Sequence, residues 1–294
     1  MVKIIVKTLL TFFPRRAAFA AVIAAVFAAA FAAVSGCNVD TGGLFSSTDL
    51  DTRLKEKNNF KFLNDKDLSP ALGDEYSFIV ITDIHLEDKK TYGLENIKTV
   101  IEDNPQIKFA VFCGDITQKG SEQELKKILE ISRSLAIPAY PVIGNHDIFF
   151  GNWSAWKELI GSTSYRVSGD TATLFILDSA NGFLGKQQIN WLENELKTAK
   201  SGTNGRVFVF SHHNLFVAPA GNPQQHADTS ERARIISLLS GKCDIMFTGH
   251  SHNRLINEAG GTLFINIEDF TRNKTYCLVT VTKTGLSYTF KNLF

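Results

Sequence analysis

The chain has 294 residues, 31 Lys and Arg against 30 Asp and Glu, a net charge of +1, and 44 % hydrophobic residues. That length allows one large domain or two small ones, and the composition is ordinary for a globular protein. The near-neutral charge gives no field that would collect nucleic acid or acidic partners. The first residues stand apart from this average. Lys3, Lys7, Arg15 and Arg16 form a positive start, and an apolar run rich in Ala, Val and Phe follows from Ala17 to Val34.

Small residues then lead into one cysteine, Val34-Ser35-Gly36-Cys37. A positive region, an apolar region and small residues at the exit make a secretory signal. The cysteine resembles that of a bacterial lipobox, which implies cleavage after residue 36, a diacylglyceryl group on Cys37 and a membrane-anchored lipoprotein. An uncleaved transmembrane anchor is the alternative, since the run is near the length that spans a bilayer. Either way the positive end stays inside and the remaining chain lies outside the cytoplasm. Arg15-Arg16 fits a twin-arginine signal poorly. Residues 38–75 are rich in Asn, Asp, Gly, Ser, Thr and Lys and read as a tether with a short ordered part beside the domain. Cys113, Cys243 and Cys277 remain. Three thiols cannot pair completely and show no close CxxC spacing, so they read as buried free thiols or one disulfide, and not as a metal site.

From residue 76 the pattern changes. Five short apolar runs each stop at Asp, Asn or His. Phe78–Ile81 leads to Thr82-Asp83-Ile84-His85, and Phe109–Cys113 to Gly114-Asp115. Ala139–Ile143 leads to Gly144-Asn145-His146-Asp147. Val207–Phe210 leads to Ser211-His212-His213, and Asp244–Phe247 to Gly249-His250-Ser251-His252. Continuous apolar runs suit strands buried on both faces. Amphipathic helices are expected over 122–135, with Ser121 and Glu124 as a capping box, and over 187–199. Strand, helix, strand order implies a largely parallel sheet, whose ligands gather beyond the carboxyl ends of the strands. After His252 the pattern is β-rich, with strands over 262–267, 275–282 and 286–290 expected to complete a second sheet as hairpins.

Taken together, D-x-H, G-D, G-N-H-D, H and G-H-x-H in this order resemble the calcineurin-like metallophosphoesterase family over roughly residues 77–294. The resemblance implies an α/β fold, a four-layer α/β/β/α sandwich of two mixed sheets flanked by helices. It implies that one divalent metal takes Asp83, His85 and His252, that a second takes Asn145, His212 and His250, and that Asp115 bridges them. Mn, Fe and Zn all suit such donors. His213 is the alternative to His212, which strand phase favours. Two such ions about 3.5–4 Å apart clamp the oxygens of a phosphoryl displacement, with a bridging hydroxide as nucleophile. His146 falls where the family places a group that contacts phosphate and protonates the leaving oxygen, and Asp147 is expected to brace the loop.

Purple acid phosphatases carry a Tyr where this chain has Gln118, and protein Ser/Thr phosphatases read G-N-H-E. The bacterial phosphodiesterase-like branch shares G-N-H-D and the pattern Leu177-Asp178-Ser179 followed by Gln188 and Trp191-Leu192. The expected substrate is a small phosphate mono- or diester outside the cytoplasm. Two other readings stay open: a non-catalytic surface lipoprotein that uses the fold for binding, and a hydrolase of nucleotide pyrophosphates or lipid phosphates. The loop 214–229 is long enough to line the mouth. His226 within it reads as solvent-facing, and Trp153 and Trp156 as core.

Overall fold

The computed structural model describes residues 49–56, 58–149, 151–199, 205–216 and 225–293. The signal, the cleavage point and Cys37 lie outside the described residues. The described chain begins with a one-and-a-half-turn helix, α1 (Leu50–Leu54), capped by Asp49, whose carboxylate accepts from the Thr52 amide at 2.8 Å. Two mixed sheets follow. The first contains β1 (Tyr76–Ile81), β2 (Ile107–Cys113), β3 (Ala139–Val142), β10 (Thr275–Thr282) and β11 (Gly285–Asn292), in the order β11-β10-β1-β2-β3. The second contains β4 (Tyr165–Ser168), β5 (Ala172–Ile176), β6 (Arg206–Phe210), β7 (Ile245–Thr248), β8 (Leu255–Ala259) and β9 (Thr262–Asn266), in the order β4-β5-β6-β7-β9-β8.

β1, β2 and β3 run parallel, as do β5, β6, β7 and β9, with antiparallel strands at the sheet margins. Side chains alternate along each strand, so each central strand feeds two cores. Phe78 and Val80 of β1 face a core shared with Phe208 and Phe210 of β6, while Ile79 and Ile81 face helices. Across the sheets Phe78 meets Phe208 edge to face at 4.9 Å, and within its own sheet it stacks on Phe109 at 4.6 Å. Outside the first sheet pack α2 (Ile97–Glu102), α3 (Glu122–Ser134) and α4 (Trp153–Leu159). Outside the second pack α5 (Gly185–Ala199) and α6 (Thr229–Leu239). This is the expected four-layer arrangement. No helix among the described residues is long and apolar enough to cross a membrane.

Local chemistry sets the helix ends. At α3 the Ser121 hydroxyl accepts from Glu124 N at 3.2 Å and the Glu124 carboxylate accepts from Ser121 N at 3.2 Å, the capping box expected from the sequence. Trp153 and Trp156 are buried, and the three described cysteines are buried and form no disulfide with one another.

Three expectations need correction. β10 and β11 complete the first sheet beside β1 and not the second, which is closed instead by β8 and β9. Periodicity reveals a strand and not its neighbour, and only the pairing of Tyr76–Val80 with Cys277–Val281 decides the sheet. The part of the expected tether from residue 49 onward is packed on the domain. Leu50, Leu63 and Leu72 are buried, and Arg53 is fully buried against Asp178. Removing one partner of such a pair costs on the order of 3–5 kcal/mol, because the other charge stays behind unpaired. The sparse apolar residues of this segment lack a period because the chain lies across the surface without forming long elements.

The third correction is His226, which is 1 % exposed. Its Nε2 lies 2.6 Å from Glu231 Oε1, and the Glu231 carboxylate also accepts from the amides of Leu184 and Gly185. Burial pushes the His226 pKa down despite Glu231. Burial raises that of Glu231, but the His226 hydrogen bond and the two amides outweigh it and hold it low. Both folded-state pKa values lie below their ordinary 6.5 and 4.5, so the unfolded chain binds protons first as pH falls. Stability from this pair is therefore present above pH 6.5 and lost on acidification below it. Thermal melting of His226→Gln followed from pH 7.5 to 5 is expected to lose less Tm over that range than the parent; equal slopes would remove His226 from the acid response.

Candidate metal centre

The site forms where five strands of both sheets end. Asp83 and His85 follow β1, Asp115 follows β2, Asn145 and His146 follow β3, His212 follows β6, and His250 and His252 follow β7. The loops after β1 and β2 continue to bond after the strands stop, through Asp83 N to Gly114 O at 3.1 Å and His85 N to Asp115 O at 2.9 Å. Seven described non-glycine residues have left-handed backbones, and five of them are Asp83, His85, Asp115, His250 and His252. Such conformations are uncommon outside Gly and tolerated best by Asn, Asp and His. Their concentration in one place marks backbone held in strain to aim side chains at a point.

Two motif glycines are explained by close approach. A Cβ on Gly144 would lie 2.2 Å from Asp115 N, and one on Gly249 would lie 2.0 Å from Thr82 Oγ1 and 2.5 Å from Asp83 Oδ2. Any side chain at either place would displace a site carboxylate. Asp147 is fully buried and braces the loop as expected. Its oxygens accept from Thr117 N and Thr117 Oγ1, both at 2.8 Å, and from Gly144 N at 2.9 Å. Burial and the charge of Asp115 push its pKa up to about 6.

The structure brings the sequence-predicted residues into one cluster. Ligand atoms lie within 4.8 Å of one another in four overlapping groups: Asp83, His85 and His252; Asp83, Asp115 and His212; His85, Asp115 and His146; and His212, His213 and His250. His212 Nε2 is 3.1 Å from Asp115 Oδ2 and 3.2 Å from His250 Nδ1, and His252 Nε2 is 3.2 Å from Asp83 Oδ1. His213 is also in the cluster, its ring centre 3.9 Å from that of His250, so both histidines of the pair reach the site. Asn145 is buried, and the amide of the next residue, His146, donates to Asp115 Oδ1 at 2.8 Å.

The donor set fits divalent metal ions. Both ring nitrogens of His85 and Asn145 Oδ1 are buried without a hydrogen-bond partner. Buried polar atoms are ordinarily paired, so a group of orphans on one cluster points to an absent partner. Carboxylate, imidazole and amide oxygen are the donors such an ion takes. The electrostatics agree. Burial disfavours the Asp115 carboxylate, but the imidazoles of His212, His146 and His85 outweigh it and hold its pKa well below the ordinary range. Asp83 is held at about 2 in the same way, with His252 and His212 outweighing burial. Both acids therefore stay negative inside a buried site.

His146 stands at the rim, its side chain 23 % exposed and its Nε2 4.0 Å from Asp115 Oδ2. Its Nδ1 lies 2.8 Å from the Gln118 carbonyl. A carbonyl only accepts, so Nδ1 carries the proton and Nε2 faces the cluster. Two further residues escaped the sequence reading. Ser179 Oγ lies within hydrogen-bond distance of the amides of His212 and His213, and its only signal was the Leu-Asp-Ser pattern. Arg272 Nη2 lies 3.3 Å from His252 Nδ1 while its guanidinium is held by Asp269, in a helical turn, α7 (Phe270–Asn273), that gave no period to read.

Comparison with known proteins gives one consistent answer. A probable cyclic nucleotide phosphodiesterase of Fibrobacter succinogenes is 27 % identical over 194 residues, covering 63 % of this chain and 70 % of its own. A 3',5'-cyclic-nucleotide phosphodiesterase of Nostoc sp. is 27 % identical over 193 residues, covering 60 % of this chain and 71 % of its own. Among solved structures, a purple acid phosphatase from yellow lupin (Lupinus luteus) seeds superposes with a TM-score of 0.61 at 12 % identity, over 76 % of this chain and 52 % of that one. That likeness speaks for the fold. The calcineurin-like phosphoesterase pattern matches residues 76–254, a span that holds all of the candidate ligands. The chain belongs to the calcineurin-like phosphoesterase family, and it is a hydrolase of phosphoric esters.

Proposed function

We propose that this chain hydrolyses phosphodiesters with two divalent metal ions and does so outside the cytoplasm as a lipid-anchored protein. The observation that carries the metal reading is the set of buried, unpartnered donor atoms gathered around Asp115. Asp83, His85 and His252 would hold one ion, Asn145, His212 and His250 the other, and Asp115 would belong to both. Bound there, the ions would supply positive charge against the phosphate and acidify a water between them. The relatives named as cyclic nucleotide phosphodiesterases support the diester over the monoester.

The chain's own residues do the rest. Asp115 fixes the His146 amide, and the Gln118 carbonyl fixes the His146 ring. With its proton at Nδ1 held by that carbonyl, His146 turns Nε2 into the cluster, and the imidazolium form would pass the Nε2 proton to the departing oxygen. That proton matters most when the leaving group is a poor one. A ribose alkoxide needs it, whereas p-nitrophenolate leaves nearly unaided. Export and the lipid at Cys37 rest on the residues before position 38 alone: the positive start, the apolar run, and the cysteine where that run stops.

Residues 38–294 stripped of metal are expected to be inactive on bis-p-nitrophenyl phosphate and to recover with Mn²⁺, Zn²⁺ or Fe²⁺. Asp115→Ala should lose activity by about a thousandfold or more with every metal, in line with the loss of a major electrostatic element. His146→Ala should lose about 10²-fold or more in kcat on a cyclic nucleotide and much less on the p-nitrophenyl ester. Equal losses on both substrates would remove the general-acid role, and no metal-restored activity with no bound metal would leave a binding protein. In the full chain expressed in a bacterium, Cys37→Ser is expected to abolish palmitate labelling and release the protein from membranes; unchanged labelling would sink the lipoprotein reading.

A further inference from the structure

We infer that Arg53, carried by α1 outside the span matched by the family pattern, is a positioning residue for His212, acting through Asp178 and Ser179. The inference rests on the metal-centre reading above and adds to it a residue from a segment the sequence offered as a tether. Arg53 is fully buried, and its Nε and Nη2 donate to Asp178 Oδ2 and Oδ1 at 2.7 and 2.8 Å. Nη2 also donates to Asn181 Oδ1 at 2.6 Å. The guanidinium thus holds both ends of the turn that follows β5.

The same turn is held from α5. The Gln188 side chain accepts from Asp178 N and donates to Asp178 O, both at 2.8 Å, and donates to Leu184 O at 3.0 Å. Both backbone groups of Asp178 and its carboxylate are therefore tied. Ser179, the next residue, faces the candidate metal centre. Its Oγ lies 3.2 Å from His212 N, 3.0 Å from His213 N and 2.9 Å from Ser211 Oγ. This hydroxyl meets both amides of the His212–His213 pair, while the His212 carbonyl accepts from Gly249 N at 2.8 Å.

An apolar residue would fill the place of Arg53 as well, since burying an ion pair seldom stabilises more than good packing. What a two-pronged guanidinium on a carboxylate adds is a fixed direction and distance. Here that direction is passed on, one residue later, to the backbone of a candidate ligand. Groups that orient ligands from behind commonly change metal affinity when lost. A purely structural strap would instead change stability and leave the metal isotherm as it was.

The full chain, stripped of metal, is titrated with Mn²⁺ by calorimetry as the parent, Arg53→Lys, Ser179→Ala and Leu50→Ala. Lysine keeps the charge and loses the fork. Leu50 is buried on the same helix without any polar link to the site, so its variant loosens the strap alone. Two Mn²⁺ ions are expected on the parent. Arg53→Lys and Ser179→Ala should each weaken one of the two by about tenfold or more. Their kcat/KM on bis-p-nitrophenyl phosphate should fall at limiting Mn²⁺ and recover at saturation. Leu50→Ala should lower Tm and keep both affinities within about twofold of the parent. Parent-like isotherms for Arg53→Lys and Ser179→Ala would overturn the inference, as would an equal weakening in Leu50→Ala. Should Arg53→Lys not fold, Ser179→Ala decides. A parent that binds fewer than two ions overturns the metal-centre reading itself, and that result is in hand before any variant is compared.

Discussion

Asp115 is the point on which the site converges. A carboxylate with almost no exposure stands among His85, His146 and His212, and its oxygens also receive the His146 amide. An isolated buried charge of this kind would cost far more than a small domain can supply. The imidazoles and the amide make it tolerable, and in turn the carboxylate fixes where they stand. The strand ends of both sheets must therefore meet at one place. Two parallel blocks whose carboxyl ends share an edge provide that meeting, and the left-handed turns after β1, β2 and β7 aim the side chains inward.

The cost of those turns is borne by hydrogen-bonded braces beside them. Asp147 ties the G-N-H-D turn back to Thr117, so β3's end cannot drift from β2's. Ser179 ties β6's end to the turn after β5. Gly144 and Gly249 leave room for the carboxylates of Asp115 and Asp83 to lie against the backbone. Strain at the site is thus matched by rigidity around it, the pattern expected when surrounding structure over-determines a conformation.

Much of this was legible in the residues. Runs such as Phe78–Ile81 are apolar on both parities because β1 is covered on both faces, and that continuity identifies a buried strand without any structure. The polar residues that end each run could be gathered because parallel strands deliver their ends to one edge. Sheet membership of β10 was not legible, since a β-branched, alternating run pairs equally well with either sheet. The packing of residues 49–75 was hidden for another reason. Its contacts reach residues far along the chain, as from Arg53 to Asp178, Lys61 N to Ile160 O and Leu72 N to Asp170 Oδ1, and leave no period. His226 misled because polar neighbours usually mean solvent, whereas here Glu231 gave the ring a partner inside.

The placement of Arg53 bears on how such a fold can change its reach without changing its chemistry. The motif residues lie between positions 83 and 252. In this chain a residue 30 positions earlier, Arg53, fixes the turn that holds His212, and it does so with a fully desolvated pair. A segment that precedes the family span can therefore contribute to the domain's interior. The physical requirement is modest: one guanidinium, one carboxylate, and a turn already tied on its other side by Gln188.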